Sequence, residues 1–326
     1  MTHRQHPLGT GSQAASTAED VLVGIDLRGT NVVVTAGHAG LGRETTRVLA
    51  AAGASITVGA RDPARAAKAL EGIAGVEVGP LDLIDPASVA AFAARWNESA
   101  RPLHVLINCA AVAPPRELVL DARGYEAQLA TNHLGHFQLT QALLPALRAA
   151  HGARVVNVSS GAQRFGQIRW DDPHFAKGYD SRAAYAQSKL ANVLHALELD
   201  RRYTEAKVRG YSVHPGVVVG TTLNGAGGQA GLRAMGLVDD AGKPIIDPAR
   251  GKKNLQQGAS TIVFAATSPL LAKVGGVYLK DNDIAPLDDE QVPLTADSIP
   301  SHAASRTVDG DAARRLWDLS ERWLQG

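Results

Sequence analysis

Residues 31–42 read NVVVTAGHAGLG. Asn31–Thr35 is an uninterrupted β-branched run, the pattern of a strand buried on both faces. A glycine-bearing turn follows, and a helical pattern runs from about Gly42 to Ala52. Strand, tight turn and helix in that order open a βαβ unit. The turn lets backbone N–H groups approach a pyrophosphate, and the helix amino terminus supplies positive potential. Alone the motif is weak, because glycine-rich turns also arise for local reasons.

The unit repeats outward from there. Ser55–Ala60, Val76–Gly79, His104–Asn108, Arg154–Ser159, Val208–His214 and Gly276–Leu279 read as further strands. Helical patterns cover Asp62–Leu70, Pro86–Asn97, about 122–149 and Ala183–Arg202, with Asp85 as an N-cap. This alternation predicts an α/β class chain, a single doubly wound parallel sheet of the Rossmann type with helices on both faces. Ligands in such sheets bind beyond the carboxyl ends of the strands. Attention therefore falls on Thr35–Gly42, Ala60–Asp62, Asp82, Asn108–Ala111, Ser159–Ser160 and His214–Thr221. Residues 1–20, rich in Ser, Thr, Gly and Gln, read as a flexible tail, and 21–326 as one domain. The stretch 221–253 lacks periodicity and reads as a functional loop. Within it, Lys252-Lys253 reads as a solvated helix start.

Composition removes other classes. The chain has 326 residues, a net charge of +1, 45% apolar and 20% charged residues. That is too apolar for disorder, and no basic excess marks a nucleic-acid partner. Cys109 is the single cysteine, so no internal disulfide or cysteine-based zinc site is expected, and a reducing, cytoplasmic setting is. No apolar run suits a membrane anchor, and the start lacks the apolar core of a secretion signal. His133 and His136 stand i, i+3 without a carboxylate partner and read as packing, so no metal is expected.

Further along stands Tyr185-Ala-Gln-Ser-Lys189. On a helix, i and i+4 share a face, and an ammonium beside a phenol favours the phenolate. Ser159-Ser160 ends a strand, where a hydroxyl could polarise a carbonyl. The ordinary readings are an exposed Tyr/Lys pair and a turn cap.

Together these residues resemble the short-chain dehydrogenase/reductase superfamily, most closely its retinol-dehydrogenase-like and WW-domain-oxidoreductase-like members. The resemblance runs from about Ile25 to Trp323. It is carried by DLRGTNVVVTAGHAGLG (26–42), VGARDPARA (58–66), LHVLINCAA (103–111), TNHLGHFQLT (131–140), RVVNVSSGAQRFGQI (154–168), AYAQSKLANVLHALELDRR (184–202) and HPGVVVGT (214–221). It implies an oxidoreductase interconverting a carbonyl and an alcohol on a fairly large, partly apolar small molecule. A non-redox cyclase, epimerase or dehydratase on the same fold, or an NADP-binding regulatory module, is the alternative.

The resemblance also implies roles. Tyr185 is the proton donor or acceptor, and Lys189 lowers its pKa and holds the nicotinamide ribose. Ser160, rather than Ser159, orients the substrate oxygen, and Asn132 holds a relay water. Cofactor contacts are implied for Thr35, Gly37, His38, Gly40, Leu41, Gly42, Asp82, Leu83, Asn108, Ala110, Lys189, Pro215, Gly216, Val218 and Thr221. After the second strand an acidic residue would select NAD; here Ala60 and Arg61 stand there, and arginine suits a 2′-phosphate. NADP(H) is therefore expected over NAD(H), with Asp62 as the cap of the next helix. A homodimer or homotetramer through the helical regions 122–149 and 183–202 is also implied. The insertion at about 161–183 contains Trp170, Phe175 and Tyr179, a substrate wall or packing over the sheet edge. Two departures stand out: Ala36 and Ala111 occupy glycine positions of the family, with Gly37 available to relieve the first turn.

Overall fold

The β-branched run forms β1 (Asn31–Thr35), buried from its second residue onward. Its neighbours follow in sequence: α1 (Gly40–Ala51), β2 (Ser55–Ala60), α2 (Pro63–Ala69), β3 (Val76–Pro80), α3 (Pro86–Glu98) and β4 (Val105–Asn108). This computed structural model describes residues 5–219, 221, 223, 228–295 and 298–325. Caps set the helix starts. Asp62 accepts from Arg65 N and Asp85 from Ala87 N, each followed by proline at the first helical position.

After β4 the expected single long helix is interrupted. Glu126 caps α4 (Ala127–Leu129), a π-helical turn spans Ala130–Gly135, and α5 (His136–Ala142) and α6 (Leu144–Ala149) complete the region. Pro145 lies in the first turn of α6 and accounts for the break there. Then come β5 (Ala153–Val158), a 3-10 turn (Gly161–Phe165), α7 (Ser181–Tyr203), β6 (Val208–His214) and β7 (Val217–Val218). The stretch 221–253 contains α8 (Gly228–Ala234) and β8 (Lys252–Lys253), with residues 222 and 224–227 outside the described residues. The chain continues through α9 (Leu255–Thr267), β9 (Val277–Lys280), β10 (Asp283–Ile284) and α10 (Gly310–Gln325).

The main sheet has the order β10-β9-β6-β5-β4-β1-β2-β3. Every pairing in it is parallel except β10 on β9. Chain order reverses between β1 and β4, which opens a crevice at their carboxyl ends. Alternation along β1 divides the core. Val32 and Val34 pack with Ile56, Ile107 and α9 on one face, and Val33 with Phe92, Leu106 and Phe137 on the other. The chain forms a single α/β domain.

Two expectations need correction. Residues 1–4 lie outside the described residues, but the remainder of the supposed tail is docked. Gln5 is buried, donating to the Tyr278 and Ala285 carbonyls and accepting from Tyr278 N, so it satisfies backbone groups at the sheet edge. Leu8 N and Gly9 N donate to Asp283.

Lys252 and Lys253 are not solvated. They pair in parallel with Val217 and Val218, and Lys253 is buried, its Nζ 2.6 Å from Asp281.

The helical region 183–202, one of the two expected at a subunit interface, packs largely within this chain. Every residue of α7 from Ala186 to Asp200 is buried. α10 lies on it, with Trp317 packed edge-on to Phe137 at 4.8 Å and beside His195 at 5.8 Å.

Among the described residues no helix is long and apolar enough to cross a membrane, and no group of three His, Cys, Asp or Glu is placed to hold a metal ion.

Candidate active site

The crevice is built on Thr35. Its buried hydroxyl accepts from Cys109 N and Ala110 N, both at 2.9 Å, joining the carboxyl end of β1 to that of β4. The His136 ring completes the arrangement. Its Nδ1 lies 3.0 Å from the Asn132 carbonyl and its Nε2 2.9 Å from Thr35 Oγ1. A carbonyl only accepts, so Nδ1 carries the proton and Thr35 donates to Nε2. Burial pushes the His136 pKa down to about 4, so the ring is neutral. Thr35 thus shapes the crevice rather than facing a ligand.

The turn after β1 is under strain. Ala36 itself adopts φ +53°, and Gly37 does not relieve it. Gly37 is needed for room: a Cβ there would stand 2.7 Å from Thr46 Oγ1 and from Val58 Cγ2. At Gly42 a Cβ would stand 2.5 Å from the Ala36 carbonyl. Gly40 differs, because a Cβ would meet only Thr221 Cγ2, at 3.7 Å. Among the described residues, Thr221 is thus the neighbour of the turn at Gly40. The amino end of α1 carries no side-chain cap, and Leu41 lies partly exposed in its first turn. Uncapped N–H groups at a helix amino end fit a pyrophosphate.

At the end of β2, Ala60 is buried and Arg61 exposed. Asp62 is engaged as the α2 cap. His38 lies half-buried above them. Its pKa is lowered by burial and further by the positive charges of Arg65 and Arg61. Arg65, one helical turn beyond Arg61, was missed in the sequence, although the i, i+4 spacing was there to be read. Asp82 N donates to Ser88 Oγ, and Leu83 is buried beneath the crevice.

Asn108 does not reach the groove. It is fully buried, and its Nδ2 donates to Asn157 Oδ1 at 2.7 Å. Asn157 in turn donates to the Asn192 carbonyl, and Asn192 to the Val158 carbonyl. The Val158 carbonyl also accepts from Lys189 Nζ at 3.1 Å. This polar ladder across β4, β5 and α7 ends at Lys189. Cys109, Ala110 and Ala111 are partly exposed along the crevice.

Ser160, Tyr185 and Lys189 come together at the carboxyl end of β5. Ser160 lies close enough to the Tyr185 hydroxyl to act on its pKa. Ser159 instead donates to the Lys189 carbonyl at 2.7 Å and is buried, so Ser160 is the serine that faces Tyr185. Lys189 Nζ lies 5.7 Å from the centre of the Tyr185 ring. Burial pushes the phenol pKa up, and the Ser160 hydroxyl acts in the opposite direction. The Lys189 pKa falls to about 8, again through burial. The expected lowering of the phenol by Lys189 is therefore not seen in this arrangement.

Asn132 is buried against Ser188 of α7. Its Oδ1 accepts from Val112 N and its Nδ2 donates to Ser188 Oγ, so its side chain braces the loop after β4 rather than touching Lys189. On the far wall, Pro215 and Gly216 follow β6, Val218 is buried, and Thr221 Oγ1 donates to the Val218 carbonyl. Within the insertion, Phe175 is buried beneath Arg169, and Trp170 joins the α7–α10 core. Tyr179 donates to the Pro115 carbonyl. The exposed aromatic of this region is Phe165, at the end of the Ser160 turn.

The short chain dehydrogenase family model matches residues 30–230, which span this whole constellation. The chain belongs to the short-chain dehydrogenase/reductase family. It is 40% identical over 300 residues to a "Probable oxidoreductase" of Streptomyces lividans, covering 90% of this chain and 97% of that one. It is 37% identical over 303 residues to retinol dehydrogenase 12 of Homo sapiens, covering 91% of this chain and 86% of that one. A solved structure of an uncharacterized protein from Mycobacterium paratuberculosis superposes with a TM-score of 0.68 at 32% identity, over 92% of this chain and 95% of that one. This short-chain dehydrogenase/reductase is thus an oxidoreductase of the retinol-dehydrogenase-like branch.

Proposed function

We propose that the protein is an NADP(H)-dependent reductase or dehydrogenase that interconverts a carbonyl and an alcohol on a fairly large, partly apolar small molecule. The observation that carries this reading is the Ser160–Tyr185 hydroxyl pair with Lys189 beside it, beyond the carboxyl edge of the sheet. When bound, the nicotinamide supplies or accepts the hydride. In the reducing direction the Ser160 hydroxyl hydrogen-bonds the substrate oxygen. Tyr185 delivers a proton to that oxygen as negative charge develops. The buried Lys189, whose pKa of about 8 keeps it charged at neutral pH, is the cation beside the phenolate left behind, 5.7 Å from the ring centre.

Arg61 and Arg65, both exposed beside His38, support a 2′-phosphate over a free ribose hydroxyl. The uncapped amino end of α1 and the close turn at Gly37–Gly42 support the pyrophosphate position. Five of the nine exposed large apolar side chains among the described residues, Val119, Leu120, Phe165, Met235 and Ile246, sit on segments that follow β4, β5 and β6, which supports a partly apolar substrate.

The test is nicotinamide consumption with a panel of aldehydes and ketones. Wild type is expected to use NADPH about tenfold or more better than NADH. Tyr185→Phe is expected to lose about 10²–10⁴ in kcat while still binding NADPH, and Arg61→Glu to narrow the cofactor preference. Full turnover by Tyr185→Phe would sink the mechanism.

A further inference from the structure

The Ser160 turn has an unusual anchor. Ser160 Oγ accepts from Ala162 N at 3.2 Å, and Gln163 N donates to the Ser160 carbonyl at 3.1 Å. The Gly161 N–H is left over. It donates to Nδ1 of His214 at 3.0 Å, across 53 residues of chain. His214 is 3% exposed and closes β6, immediately before Pro215 and Gly216. One ring therefore joins the turn that carries Ser160 to the turn on the opposite wall of the crevice.

The surroundings leave little slack. A Cβ at Gly161 would stand 3.1 Å from Ser301 Cβ and 3.5 Å from His214 Nε2. Gly216, at φ +84°, rests on the buried stem of Lys253, whose Cδ would lie 2.9 Å from a Cβ there. Lys253 is itself held by Asp281 at 2.6 Å, and Val217 N donates to the Gly251 carbonyl. The far turn is thus braced from below, and His214 transmits that brace to the Ser160 turn. Burial pushes the His214 pKa down to about 3, with Lys280, Lys253 and His302 acting in the same direction and Asp281 against it. The ring is neutral, so Nδ1 is free to accept only in the tautomer protonated at Nε2.

We propose that His214 is a positioning residue: its Nδ1–Gly161 bond sets the separation between the Ser160 hydroxyl and the Pro215–Gly216 turn. The proposal rests on the roles given above to Ser160 and to that turn. Hydride transfer needs reacting atoms at about 3–3.5 Å, and a 1 Å misplacement costs about 10²-fold in rate. A residue that couples the two walls therefore acts on kcat more than on cofactor binding.

The experiment compares His214→Leu, His214→Asn and His214→Gln in the full chain. Asparagine places an oxygen near the position of Nδ1; glutamine places its amide near that of Nε2 and misses Gly161. His214→Leu is expected to lower kcat about 10–100-fold with the KM for NADPH within about threefold. Its Gly161 amide should exchange with solvent about tenfold or more faster. His214→Asn should recover most of both, and His214→Gln neither. If His214→Leu does not fold, the Asn and Gln variants carry the comparison. Equal Gly161 protection in His214→Asn and His214→Gln would overturn the proposal, as would equal kcat. If wild type turns over no carbonyl, the functional reading fails while the Gly161 exchange rates still decide the link.

Discussion

At the scale of single residues, Ala36 shows how the cofactor turn is held. An L-residue in the left-handed region costs about 1–2 kcal/mol. Ala36 stays there because its N–H donates to the Gly59 carbonyl, and its own carbonyl accepts from Ala39 N at 3.3 Å while packing against Gly42. Glycine would adopt the same φ without the Cβ clash. Ala36→Gly is therefore expected to raise stability by about 1 kcal/mol, read as a higher urea midpoint at unchanged slope. A lower midpoint would show that the turn does not carry this strain. The strain also explains how a family glycine could be lost here: the backbone path is dictated by neighbours, and the alanine follows it.

At the scale of elements, α5, α7 and the end of β6 bury imidazoles that cannot easily charge. His133 and His214 are pushed down to about 3, His136 to about 4 and His195 well below its ordinary value, each mainly by burial. Neither ring nitrogen of His195 has a hydrogen-bond partner. Unfolded, each ring would titrate near 6.5. Below that pH the unfolded chain binds protons that the folded chain refuses, so the stability these rings leave intact above about pH 6.5 is lost as pH falls towards 4. The urea midpoint is expected to drop steadily between pH 7 and 5. Because no bond is lost at His195, His195→Leu should shallow that slope. An unchanged slope would show that the ring is not a source of the acid sensitivity.

At the scale of the whole molecule, the packing of α10 on α7 bears on association. The middle of α7, from Ala186 to Asp200, is buried within this chain, which leaves its ends as the part open to a second copy. Trp317, Leu316 and Ala313 of this chain's own α10 occupy the place that the dimer expectation left open. Light scattering is expected to give the monomer mass, 34.1 kDa. Removing residues 310–326 should expose the α7 face and produce self-association or aggregation. A dimer mass for the full chain that persists on dilution would place an interface elsewhere.

Local pattern carried the sheet. The β-branched run at 31–35, the Asp-Pro caps and the strand-helix alternation depend on neighbours in sequence, and the observed elements follow them to within a few residues. The i, i+4 spacing of Tyr185 and Lys189 and the strand end at Ser159-Ser160 were likewise readable, while the choice of Ser160 rested on the family resemblance. Other features depend on contacts between segments far apart in the chain, and no local pattern encodes them. Gln5 docks across 273 residues onto Tyr278, Lys253 is buried against Asp281, and Gly161 meets His214. The polarity of Lys252-Lys253 pointed to solvent, because burying an ammonium is favourable only when a distant carboxylate arrives to meet it. The same holds for α10, whose apolar stripe announces that it packs on something, while only the tertiary structure decides that it covers α7.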